Sequence, residues 1–129
     1  PKLSGRDLED AAFGYRIAKE TSRLDIGQSV VVREGTVLAV EAFEGTDACI
    51  ARGGALGKGK HVKLVKVSKP NQDTRFDVPV VGPQTVRSCQ EAGVSAIIVE
   101  ADKTLLLGRE ELATLCAENK ITLHAITGG

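Results

Sequence analysis

Asp73 and Asp77 stand four residues apart in the stretch KPNQDTRFDVPVVGP, residues 69–83. Two carboxylates at that spacing can share a divalent cation, or divide the roles of metal ligand and general base. Mg2+ commonly takes one or two carboxylates and fills its shell with water and substrate phosphate oxygens, which suits this inventory. Lys69 and Arg75 supply cations able to meet the remaining charge of a phosphate. Pro70, Pro79 and Pro83 stiffen the backbone around them. The plainer reading is a surface loop with its own ion pairs, Asp73 with Arg75 or Lys69, and exposed pairs of that kind contribute little. Residue types alone leave both readings open.

Two other stretches invite a phosphate. In EGTDA, residues 44–48, a helix begins directly after a strand, and its free N–H groups suit an anion. The alternative there is ordinary capping by Thr46 or Asp47. In GGALGKGK, residues 53–60, Lys58 is followed by Gly59 where a Walker loop needs Ser or Thr, so that motif fails. What remains is a Gly-rich loop with Lys58 and Lys60 that either wraps an anion or is simply solvated. His61 and His124 fall in strand-like surroundings and read as structural or solvent-facing. No Ser/His/Asp or Cys/His arrangement follows from spacing.

Composition removes several function classes. The 17 basic residues balance the 17 acidic ones, so there is no bulk pull toward nucleic acid or an anionic membrane. Aromatics are confined to three Phe and one Tyr, too few for the stacking platforms of a single-strand binder. Cys49, Cys89 and Cys116 are spaced for neither a zinc knuckle nor a CxxC pair, and read as small buried hydrophobes in a reducing compartment. No apolar run approaches the roughly 18 residues of a membrane span. At 129 residues the chain is one domain's worth.

These candidates need elements to hold them. SGRDLEDAAFGYRIAKETSRL predicts an amphipathic helix capped by Ser4, with Leu8, Ala11, Ala12, Tyr15, Ile17 and Ala18 mostly on one side and Gly14 a soft spot or close contact. QSVVVREGTVLAVEAF predicts a hairpin turning at Glu34-Gly35. A short helix follows to about Arg52, ending in the glycines. VKLVKV at 62–67 reads as a half-buried strand with a wet lysine face. PQTVRSCQEAGV predicts a helix with Pro83 in its first turn and Gly93 as its stop. SAIIVEA is a buried strand, KTLLL a short extended piece, GREELATLCAENK a helix and ITLHAIT a last strand. Alternating helix and strand predict an α/β fold, a mixed sheet covered by helices in a single compact domain over residues 1–129.

Three blocks carry a family resemblance: GQSVVVREGTVLAVEAFEGTDACIARGG, GKGKHVKLVKVSKPNQDTRFDVPVVGPQT and AIIVEADKTLLL. Together they closely resemble the C-terminal domain of the LpxI family, UDP-2,3-diacylglucosamine pyrophosphatases of lipid A biosynthesis. The resemblance implies Mg2+-dependent hydrolysis of UDP-2,3-diacylglucosamine to UMP and 2,3-diacylglucosamine 1-phosphate (lipid X), with water attacking the phosphorus on the sugar side. It implies Asp73, then Asp77, as the essential carboxylates and metal ligands. Thr46, Asp47, Lys69 and Gln72 would line the phosphate and sugar end, and Arg75 would supply further positive charge. It also implies an N-terminal domain preceding Pro1, and a cytoplasmic enzyme with peripheral contact at the inner membrane. The competing expectations are a non-catalytic lipid- or nucleotide-binding module, and a homodimer formed through the hairpin VVVREGTVLAV.

Overall fold

A computed structural model describes residues 3–68, 80–100, 105–106 and 109–126. Helix α1 spans Gly5–Arg23, and strands β1 (Ser29–Arg33) and β2 (Thr36–Val40) form the hairpin. Helix α2 (Thr46–Leu56) leads to β3 (Val62–Lys66), and β4 (Val80–Val81) leads to α3 (Pro83–Ala92). Then come β5 (Val94–Glu100), β6 (Leu105–Leu106), α4 (Arg109–Glu118) and β7 (Thr122–Ile126). The main sheet has the order β2-β1-β3-β5-β7, with β1 antiparallel to both neighbours and β3, β5 and β7 parallel. Short β4 and β6 pair in parallel as a second ribbon. The mixed α/β sheet expected from the sequence is the sheet observed.

Both faces of that sheet are covered. On one, Val31, Leu64 and Ile97 pack with Cys49 and Ile50 of α2, Val86 and Cys89 of α3, and Leu112 and Cys116 of α4. On the other, Val30, Val32, Val65, Val67 and Ile98 pack against Ala11 and Ala18 of α1. Such double coverage explains the near-continuous apolar runs in β1 and β5. Cys49, Cys89 and Cys116 are buried free thiols of the first face, as expected.

The hairpin turn lies at Glu34 and Gly35, with φ of 49° and 74°, the positive pair that matches the twist of two antiparallel strands. Ser4 caps α1 by accepting from the Asp7 amide. The buried stripe of α1 departs from expectation: it is Asp10, Ala11, Gly14, Ala18 and Ser22, while Leu8 is exposed. Small residues let the helix lie close to the sheet, and a Cβ on Gly14 would sit 2.6 Å from Val65 Cγ2. Gly14 is a close contact.

Two expectations need correction. Helix α2 does not stop near Arg52 but continues to Leu56 through Gly53 and Gly54. A Cβ at Gly53 would meet Val31 Cβ at 2.5 Å, and one at Gly54 would meet the Ala92 carbonyl oxygen at 2.3 Å. These glycines therefore admit the sheet and α3 rather than loosen a loop. The second correction concerns β3. Lys63 and Lys66 are three positions apart and point to opposite faces, and neither face is open to water. Lys63 is 1% exposed under α1, and Lys66 is half-buried beside α2.

Candidate functional site at the carboxyl ends of the parallel strands

In open α/β sheets, ligand crevices form beyond the carboxyl ends of the strands. Here that edge gathers the end of β3, the end of β5 and the start of α2. The chain continues from it into residues 69–79, which carry Lys69, Gln72, Asp73, Arg75 and Asp77. Those five candidates lie outside the described residues. Thr46 and Asp47 lie within them.

Thr46 is the first residue of α2, not its cap. The N-cap is Gly45, with φ 91° and no side-chain capping bond, so the capping expected of Thr46 or Asp47 does not occur. The Thr46 hydroxyl instead donates to Glu41 Oε1 at 3.1 Å and accepts from Lys66 Nζ at 3.2 Å. Ser29 Oγ, fully buried in β1, stands 3.5 Å from it. Burial pulls the Lys66 ammonium below the usual lysine range, while the Glu41 and Asp47 carboxylates pull the other way. Asp47 turns toward α3, where Ser88 Oγ donates to its Oδ1 at 2.9 Å. The result is a hydroxyl, a half-buried cation and two carboxylates at one end of the sheet.

On the α1 side of the same edge, Glu100 closes β5 with a buried carboxylate. Tyr15 Oη donates to its Oε2 at 2.8 Å, and Lys19 Nζ lies 3.1 Å from the same oxygen. Ser68 donates twice to Oε1, through its amide at 3.1 Å and its hydroxyl at 2.8 Å. Lys19 Nζ and Ser22 Oγ also donate to the Ser68 carbonyl, at 3.0 and 3.1 Å. Burial alone would raise the Glu100 pKa, but the Ser68, Tyr15 and Lys19 donors outweigh it and hold the carboxyl below its usual range. Ser68, immediately before Lys69, is thereby fixed through both its backbone and its side chain.

Sequence reasoning missed Lys66, Glu41, Ser29 and Glu100. Lys66 and Glu100 each carried a signal, a charged residue ending a largely apolar strand that helices cover on both faces. The Gly-rich turn at 57–59 sits at the opposite end of α2, before β3 begins, and is not brought to this edge. His61 is exposed in that connection, and His124 is partly buried within β7. Among the described residues no group of three or more His, Cys, Asp or Glu could hold a metal, and no helix is long and apolar enough to cross a membrane.

A family model described as the LpxI C-terminal domain matches residues 1–124. The UDP-2,3-diacylglucosamine pyrophosphatase LpxI of Caulobacter vibrioides is 41% identical over 126 residues, covering 92% of this chain and 44% of that protein. The chain thus spans less than half the length of that relative. With a family model over nearly its whole length and this relative beside it, the chain belongs to the LpxI family, to which it corresponds as the C-terminal domain.

Proposed function

We propose that the chain supplies the phosphate-handling part of a UDP-2,3-diacylglucosamine pyrophosphatase that forms UMP and 2,3-diacylglucosamine 1-phosphate. The observation that carries this reading is the 41% identity to a relative named for that activity. The local chemistry agrees with it. Hydrolysis of a phosphoanhydride needs charge neutralisation and a positioned water, and it needs no covalent nucleophile. The three buried thiols and the scattered histidines offer no such nucleophile.

In this reading water bonds to the phosphorus on the sugar side, and the bond from that phosphorus to the UMP oxygen breaks. Asp73 and Asp77 orient the water and accept its proton, with Asp73 the principal carboxylate. Their hard oxygen donors also suit Mg2+, which when bound would offset the charge developing on the phosphate oxygens. Lys69, Gln72 and Arg75 bind the pyrophosphate and sugar together with Thr46 and Asp47 of α2. An N-terminal domain, accounting for the rest of the relative's length, completes the lipid site.

The test is release of UMP from UDP-2,3-diacylglucosamine by the full-length protein, with Mg2+ and with a chelator. UMP released only when the metal is present supports the reading. Intact substrate under both conditions contradicts it.

A further inference from the structure

The two lysines of β3 differ in what neutralises them. Lys63 meets two carboxylates, Asp10 Oδ2 at 2.7 Å and Asp7 Oδ1 at 2.9 Å. Lys66 meets none within 4.0 Å among the described residues, and its one described hydrogen bond goes to the Thr46 hydroxyl. That hydroxyl is already committed to Glu41. An ammonium carries three donors, so two on Lys66 have no acceptor among the described residues. Glu41 and Asp47 pull on this half-buried charge from beyond contact distance, and an anion in direct contact would relieve the remaining cost of its partial burial. The side chain stands at the carboxyl end of β3, the middle strand of the sheet, where ligands of such sheets bind. The groups around it favour a small multidentate anion: the neutral Thr46 hydroxyl, the Ser29 hydroxyl 3.5 Å beyond that one, and, among the described residues, no carboxylate within 4.0 Å of the ammonium.

We propose that Lys66 is a substrate-binding residue whose ammonium donates to the non-bridging oxygens of the substrate's diphosphate, with the Thr46 hydroxyl fixing its direction. A lysine suits this role because it acts as a compact point charge whose donors rotate to follow the phosphate. The identity of the anion rests on the pyrophosphatase reading above. The need of Lys66 for an anion does not.

Calorimetric titration with UDP tests it, on the wild-type protein and on Lys66→Gln, Lys66→Arg and Lys60→Gln. Losing a charge-assisted hydrogen bond should weaken UDP binding in Lys66→Gln about ten- to hundredfold. Lys66→Arg should recover part of that loss, and Lys60→Gln, at an exposed position remote from this edge, should bind as wild type. Equal affinity in wild type and Lys66→Gln, or no binding of UDP by wild type, overturns the proposal. Should Lys66→Gln fail to fold, the ammonium resonance of Lys66 in the wild-type protein decides. Its displacement by UDP supports the contact, and an unmoved resonance contradicts it. Lys66-dependent UDP binding without UMP release would remove the pyrophosphatase reading and leave this one standing. UMP release with unchanged KM and kcat in Lys66→Gln would do the reverse.

Discussion

Lys63 Nζ lies 2.7 Å from Asp10 Oδ2 with both side chains buried, and this pair joins α1 to the middle of the sheet. The two oxygens of Asp10 also accept the amides of Glu34 and Gly35, at 2.8 and 2.9 Å. One carboxylate therefore ties the helix, the central strand and the hairpin turn. Removing one partner leaves the other charge buried and unpaired, a loss of about 3–5 kcal/mol. Lys63→Ala should lower the urea midpoint accordingly. The double variant Lys63→Met with Asp10→Leu should recover much of the loss, because both fully buried charges then leave together and only the partly exposed Asp7 carboxylate loses its partner. Equal destabilisation of the single and double variants would count against the clamp.

Acid should release the same clamp. Burial on its own raises the Asp10 pKa, but Lys63 and the two turn amides outweigh it, so the net direction is downward. The Lys63 ammonium likewise lowers Asp7. A depressed carboxylate contributes stability that is fully present above its unfolded value of 3.8 and is lost as pH falls through the folded value. Urea midpoints should therefore be level near neutrality and fall below about pH 4. In the double variant Lys63→Met with Asp10→Leu that fall should be shallower.

Tyr15 gives the Glu100 network a direct readout, because it is the only tyrosine of the chain. Burial, then its hydrogen bond to Glu100, then the carboxylate charge push its phenol from 10.0 up to about 12. A raised folded value means the neutral phenol stabilises the fold below pH 10.0, and that contribution fades as pH rises toward about 12. Spectrophotometric titration should show no phenolate at pH 10 in the native protein. Glu100→Gln removes the negative charge and should bring the titration down.

The glycines of α2 make the opposite prediction from helix propensity. Gly→Ala in a helix normally gains up to about 1 kcal/mol. At Gly54 the new methyl would lie 2.3 Å from the Ala92 carbonyl oxygen, and at Gly53 it would lie 2.5 Å from Val31 Cβ. Each substitution should instead cost about 1–3 kcal/mol, read as a lower thermal midpoint. Gly5→Ala, where nothing lies within 4 Å, is the control and should be neutral or mildly stabilising.

The hairpin at Glu34-Gly35, the Pro83 start and Gly93 stop of α3, and the parallel second half were legible because local backbone chemistry dictates them. The extent of α2 was not, because Gly53 and Gly54 look like helix breakers until Val31 and Ala92 are known to press against them. The lysines of β3 are illegible locally for a related reason. Counting apolar and charged residues suggested one wet face, whereas the spacing of 63 and 66 already put them on opposite faces. Their different partners, Asp7 and Asp10 against Thr46, lie 53 or more positions away for Lys63 and 20 for Lys66, which no local pattern contains. Of the candidate site, Thr46 and Asp47 stand at the predicted helix start in roles other than capping, and the carboxylates of KPNQDTRFD lie beyond the described residues.

We propose above that the carboxylates of that stretch perform the hydrolysis. The most direct test is turnover of UDP-2,3-diacylglucosamine by full-length Asp73→Ala and Asp77→Ala proteins whose thermal midpoints match wild type. Asp73→Ala should lose about 10²-fold or more in kcat, the scale of a positioned acid–base or metal-ligating group, with substrate still bound. Wild-type turnover in both variants would contradict it.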